Sequence, residues 1–333
     1  MAEFKGILII GEGADSRLAP IALELLGAGR QLADGLGQEL GVLLLGSGVK
    51  ALAPEAILYG ADRVYVVDDP MLREYVGDVY VQAAEKAIKQ ISPRILLLGQ
   101  TSLGRDLAPR LAFRLGVGLA TDCTELSLDP QTGNLLLTRS VYGGNARAVF
   151  ISPAFPQMAT VRSKVMSPLE RDPARKGEVV EIPAQIDPSQ VKPRLINRVK
   201  EEVKGIKLEE AEVVVSGGRG IGSADGFRQL AELARLFPKG SVGATRAVID
   251  NGWWPASEQV GLTGKIVTPN LYIAVALSGA SQHMAGCSGS KTIVAINKDA
   301  EANIFKEARY GVVGDYRQIL PAFKEKLKEL LAG

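Results

Sequence analysis

In the first part of the chain, short unbroken apolar runs alternate with longer stretches in which apolar residues recur every three or four positions. The runs Gly6–Gly11, Val42–Gly46, Val64–Val67 and Ile95–Gly99 predict strands buried on both faces. The intervening segments Ala19–Gln38, Pro54–Tyr59, Glu74–Gln90 and Gly104–Leu115 predict the helices that cover them. That alternation is the pattern of an α/β domain built on a parallel sheet. After Gly116 the rhythm changes. Thr124–Leu128, Leu135–Tyr142 and Ala146–Ser152, separated by turn-rich residues, predict antiparallel additions to the same sheet.

Between Pro168 and Pro193 the periodicity disappears among five prolines and many charges, which predicts an interdomain connection. A second α/β pattern then begins at Ala211–Ser216, with strands expected near Lys265–Val267, Leu271–Leu277, Thr292–Ile296 and Gly311–Val313. A closing helix over Tyr316–Leu331 places Ile319, Phe323, Leu327 and Leu330 on one face, with Pro321 in its tolerant first turns. The expected organisation is an N-terminal domain over 1–167, a Pro-rich and charged connection over 168–210 and a C-terminal domain over 211–333. Each domain is expected to carry a mainly parallel sheet flanked by helices.

Composition narrows the function without naming it. The 333 residues are 46% apolar, and 39 Lys and Arg against 37 Asp and Glu leave a net charge of +2. Nothing in that balance favours nucleic acid or an anionic membrane surface. The apolar runs are far shorter than the roughly 20 residues that cross a bilayer. The N-terminus enters a strand without a secretory or transit pattern, so the expected location is cytoplasmic. Cys123 and Cys287 lie too far apart in sequence for a CxxC site and read as packing residues, and no metal is expected.

Candidate chemistry concentrates in the C-terminal domain. The only histidine, His283, sits in a stretch that reads as strand, Ser278-Gly279 turn, helix and strand. Helix-terminal N–H groups at such a turn can receive a diphosphate. Asn297 and Asp315 close the next two apolar runs and would lie at the same end of a parallel sheet. Three further turns share the domain: the strand-to-glycine turn ending in Arg219, the segment with Thr245 and Arg246, and the Gln259–Gly264 turn with the Thr263 hydroxyl. Taken singly, each is a βα turn, Arg219 a solvated side chain and His283 a packed one. Trp253-Trp254 before Pro255 reads as a packed corner or an exposed patch. No nucleophile accompanies the histidine, which leaves hydrolase chemistry without support.

These stretches resemble the alpha subunits of electron transfer flavoproteins. That family's pattern LYIAVGISGAIQH followed by SKTIVAINKD is matched at Leu271–His283 and Ser290–Asp299. Further matches are VVSGGRG at 214–220, GATRA at 243–247, TGKIV at 263–267, LGRDLAPRLAFRLG at 103–116, TDCTEL at 121–126 and YGGNARAVF at 142–150. The resemblance covers nearly the whole chain. Leu262 stands where the family usually has glutamine, and Ala276 and Ser281 replace a common glycine and isoleucine.

The resemblance implies FAD in the C-terminal domain and a heterodimer with a beta subunit contacted by the N-terminal domain. It assigns cofactor contacts to Arg219, Thr245, Arg246, Val260, Gly261, Leu262 through its backbone, Thr263, Ser278, Gly279, Ala280, Ser281, Gln282, His283, Asn297 and Asp315. Among these, Arg246 and a protonated His283 are expected to favour negative charge on the reduced ring, and Thr263 to hydrogen-bond its N5 edge. The implied role is electron transfer, with electrons accepted from an acyl-CoA type dehydrogenase, as in fatty acid oxidation. They would pass singly to an acceptor such as a quinone oxidoreductase. The protein would then be a carrier rather than an enzyme with its own substrate. Alternatives are an NADH-dependent electron-bifurcating subunit, which would be an oxidoreductase, and a nucleotide-binding regulatory module without redox chemistry.

Overall fold

The computed structural model describes residues 4–14, 16–142, 146–197 and 205–332. Gly143, Gly144 and Asn145 of the YGGNARAVF stretch and residues 198–204 of the expected connection lie outside them. The chain divides into two compact units, Met1–Ser140 with Arg147–Arg198, and Val141–Ala146 with Val199–Gly333.

From the N-terminus the elements run β1 (Ile7–Gly11), β2 (Gly13–Ala14), β3 (Arg17–Leu18), α1 (Pro20–Leu36), β4 (Leu40–Gly46), α2 (Ala53–Leu58), β5 (Arg63–Asp68), α3 (Gly77–Ile91), β6 (Ile95–Gly99) and α4 (Ser102–Leu115). There follow β7 (Leu119–Cys123), β8 (Glu125–Leu128), β9 (Leu135–Val141), β10 (Ala146–Phe150), β11 (Gln157–Val161) and β12 (Glu178–Glu181). Seven strands form one parallel sheet in the order β12-β5-β4-β1-β6-β11-β7. Side chains alternate across it: Ile7 and Ile9 join α1 and α2 in one core, while Leu8 and Ile10 join α3 and α4 in the other. Helix ends follow local chemistry. Thr101 caps α4 by accepting from Gly104 N at 3.0 Å, and Gly37, at φ 62°, closes α1.

Three expectations need correction. The antiparallel strands do not extend the main sheet; β8, β9 and β10 form a sheet of their own. The main sheet is extended instead by β11 and β7, which are parallel to it. Strand β11 escapes a hydrophobic reading because two of its five buried residues are polar. Gln157 accepts from Leu135 N at 2.8 Å and donates to Ser152 O at 2.6 Å, so its burial is compensated. Second, the expected connection is ordered over part of its length. Glu178–Glu181 forms the edge strand β12, paired with β5 and held by an Arg63–Glu178 ion pair.

In the second unit, β13 (Val213–Gly217), α5 (Ala224–Ala234), β14 (Gly240–Ala244), α6 (Arg246–Asp250), β15 (Leu271–Val275), α7 (Ser281–Cys287), β16 (Thr292–Asn297), α8 (Ile304–Glu307), β17 (Tyr310–Val313) and α9 (Tyr316–Ala332) follow in order. Their parallel sheet has the order β14-β13-β15-β16-β17. The third correction lies here. Lys265–Val267 is not a strand but a loop joined to Val260 by an isolated bridge, and its expected place belongs to the glycine-rich β14. On α9 the buried residues are Tyr316 and Leu320, with Ile319, Phe323 and Leu327 beside them, whereas Leu330 is 70% exposed. Trp254 stacks on Phe227 at 5.4 Å, so the tryptophan pair is a packed corner, and both cysteines are buried and free.

Substituting Gln157 by Ala should orphan Leu135 N and Ser152 O and cost the first unit about 2–4 kcal/mol. Denaturant unfolding would read this as an earlier first-unit transition with the second unit unchanged.

Candidate functional site

The order of the second sheet fixes where a ligand can enter. From β13 the chain crosses to β14 on one side and then returns to β15 on the other, so the loops diverge at the carboxyl ends of β13 and β15. A cleft of about 570 Å³ opens there, a volume typical of small-molecule sites. Its walls come from Gly218–Gly220 after β13, Thr245–Ala247 after β14, the Gln259–Thr263 loop, Ala276–Ala280 with Gln282 and His283 after β15, and Asn297, Asp299 and Ala302 after β16.

Every residue selected from the sequence lines this cleft except Ser281 and Asp315. Ser281 is the exposed first residue of α7. Asp315 follows β17, and its carboxylate accepts from Arg317 N at 2.9 Å at the start of α9. Sequence reasoning passed over Gly218, Gly220, Gln259, Ala276, Leu277 and Asp299 as wall residues. Gln259 and Gly218 lay within quoted turns, but nothing in their residue types announces a contact that depends on backbone position.

Close backbone packing shapes the walls. A Cβ on Gly218 would stand 2.4 Å from Ala276 O, and one on Gly279 would stand 2.4 Å from Ile304 N. Gly279 also has φ 76°, where a side chain is strained. Ala276 occupies the left-handed region at φ 50° despite its Cβ, which explains why the resembling family has glycine there. Asn297 ties the turn from below: its Nδ2 donates to Leu277 O at 2.8 Å and its Oδ1 accepts from Asp299 N at 3.0 Å. Its amide thereby holds the wall, with one further N–H on Nδ2 beyond these bonds.

Polar groups at the cleft fall into free and committed sets. The Arg246 side chain is 68% exposed, with only a long 3.7 Å ion pair to Asp250. Ala280 and Thr245 provide no side-chain cap to α7 and α6, which leaves first-turn N–H groups without such a partner. Gln259 Nε2 donates to Thr263 Oγ1 at 2.9 Å, so the Thr263 hydroxyl keeps its proton for another acceptor. Leu262 is 61% exposed, but its backbone N donates to Gln282 O at 2.7 Å. Its N–H is thus already used, which leaves its carbonyl for the backbone contact expected of it.

His283 departs furthest from expectation. It is only 6% exposed; Nδ1 lies 3.1 Å from Val260 O and Nε2 lies 2.8 Å from the Tyr272 hydroxyl. Burial pushes its pKa down to about 4, against the smaller opposing effect of the Val260 carbonyl. Burial thus disfavours the protonated ring, while Arg219 and Arg246 bring positive charge to the cleft lining.

The first unit has an opening of about 360 Å³ over the ends of β1 and β4. There the glycine-turn amides are already occupied, since Gly48 N and Lys50 N both donate to Asp68 at 2.8 and 3.4 Å.

The buried ring makes stability depend on pH. Unfolded, His283 takes up a proton below about 6.5; folded, only near 4. The contribution of the neutral ring is complete above about 6.5 and is lost as pH falls toward 4, by roughly 2 kcal/mol between pH 7 and 5. Urea unfolding of the second unit should show that loss, and His283→Gln should flatten it.

Comparison with known proteins agrees with this geometry. The electron transfer flavoprotein domain model matches residues 7–187, and the electron transfer flavoprotein FAD-binding domain model matches residues 207–288. The electron transfer flavoprotein subunit alpha of Thermoanaerobacterium thermosaccharolyticum is 46% identical over 99% of this chain and 100% of its own length. That of Megasphaera elsdenii is 44% identical over 99% and 98%, respectively. The acryloyl-CoA reductase electron transfer subunit beta of Anaerotignum propionicum is 40% identical over 98% and 96%. The chain belongs to the electron transfer flavoprotein alpha-subunit family, and its second unit is an FAD-binding domain.

Proposed function

We propose that this chain pairs with a beta subunit, holds FAD in the cleft over β13, β15 and β16, and carries electrons from an acyl-CoA type dehydrogenase to a downstream acceptor. The observation that carries the reading is the convergence of five chain segments on one cleft at the sheet's switch point. The residues present fit a dinucleotide. Glycines at 218 and 279 stand where any Cβ would meet backbone, the starts of α6 and α7 lack a side-chain cap, and two arginines supply positive charge. The Anaerotignum relative, named for acryloyl-CoA reductase, supports a partner of acyl-CoA type.

A bound flavin would supply one- and two-electron redox chemistry at this site. The chain's own residues set the conditions for that exchange. Arg246 holds its guanidinium at the mouth of the cleft, where it favours added negative charge. Thr263 presents a hydroxyl proton because Gln259 fills one of its acceptor positions. Leu262 adds apolar surface beside it, where the family usually has an amide.

Arg246→Ala in the FAD-loaded heterodimer should lower the flavin's reduction potential by about 30–60 mV, the equivalent of one lost charged interaction. It should also slow reduction by an acyl-CoA dehydrogenase. An unchanged potential, measured by dye-equilibrated titration, would remove this arginine from the flavin site.

A further inference from the structure

We propose that Gln259 is a positioning residue of the flavin site: its side-chain amide fixes the Thr263 hydroxyl so that the hydroxyl proton is offered to the ligand. The proposal rests on reading the cleft as the flavin site. Both residues line that cleft, four positions apart in one loop. Gln259 Nε2 donates to Thr263 Oγ1 at 2.9 Å. A threonine hydroxyl has one proton and two acceptor positions, so an amide N–H that reaches the oxygen takes an acceptor position and turns the proton away from itself.

The backbone of the loop makes this contact possible. Gln259 O accepts from Lys265 N at 2.7 Å and Gly264 N donates to Gly261 O at 3.0 Å, so the chain closes on itself between residues 259 and 265. A Cβ on Gly264 would stand 2.4 Å from Gln259 O, so glycine is what lets the two arms of the loop meet. Val260 N donates to Ala244 O at 2.9 Å, which anchors the arm carrying Gln259 to the end of β14. The base of the loop is therefore set by main chain, and the side chains of Gln259 and Thr263 are left to each other.

Thr263 is exposed at the rim, where packing does not choose its rotamer. A threonine free to rotate can donate to neighbouring backbone carbonyls instead of a ligand. The Gln259 amide makes that choice for it. Leu262 stands where the resembling family usually has glutamine, so Gln259 carries the one side-chain amide of the turn Gln259–Gly264. No neighbour in the turn can take over its part.

A double-mutant cycle on the full chain assembled with its beta subunit separates positioning from packing. Gln259→Met keeps the length of the side chain and the backbone bonds of the loop but removes the amide, and Thr263→Val removes the hydroxyl. Each should weaken FAD binding about fivefold, and the double variant should bind no more weakly than either alone. The flavin's reduction potential should likewise shift in Gln259→Met and stay unmoved when the same change is made on Thr263→Val. Losses that multiply to about 25-fold in the double variant, or unchanged affinity in either single variant, overturn the proposal. Should Gln259→Met not fold, Gln259→Leu takes its place in the cycle. The reading of the cleft is separately exposed: wild-type FAD affinity in both Arg246→Ala and Thr263→Val contradicts the flavin site itself, whereas multiplying losses strike only the part given to Gln259.

Discussion

The FAD-binding unit depends on one constraint: the turn leaving β15 must pass within a side chain's width of the turns beside it. Gly218 meets Ala276 and Leu277 on one flank, and Gly279 meets Ile304 on the other. Only glycine fits at these two positions, so the neighbouring turns pack without a side chain between them. Asn297 then fixes that packing by bridging Leu277 O and Asp299 N.

Around that wall the chemistry divides by burial. Groups inside the wall are consumed by the protein: His283 by Val260 and Tyr272, Leu262 N by Gln282, and Asn297 by its two backbone partners. Groups on its rim, Arg246 and the Thr263 hydroxyl, keep their capacity for a ligand. The guanidinium of Arg246 thus stays exposed at the cleft. Charge that would be expensive to bury is excluded by keeping the histidine neutral. The first unit has the same sheet logic without this division, because Asp68 occupies its glycine-turn amides.

Much of the fold was legible because β1, β4 and β6 are continuous apolar strands between amphipathic helices. Strands β11 and β14 were not, for opposite reasons. The first buries Gln157 and Thr160 by satisfying them, and the second is rich in glycine because Gly243 lies close to Val260. At the site, motif likeness identified the turns but not the hydrogen-bond partners of their side chains. The separation of His283 and Asn297 from Arg246 depends on hydrogen-bond partners many residues away in sequence. The left-handed conformation of Ala276, by contrast, gives physical content to a departure that the sequence displayed without explaining.

The central claim is that FAD binds against the cleft wall of the second unit. Amide hydrogen exchange of the chain assembled with its beta subunit, with and without FAD, tests it most directly. FAD binding should slow exchange over Gly218–Gly220, Gly261–Thr263 and Ser278–Gln282, with no change at Gly46–Lys50 of the first unit. Protection at Gly46–Lys50, or none at the three cleft segments, would contradict it.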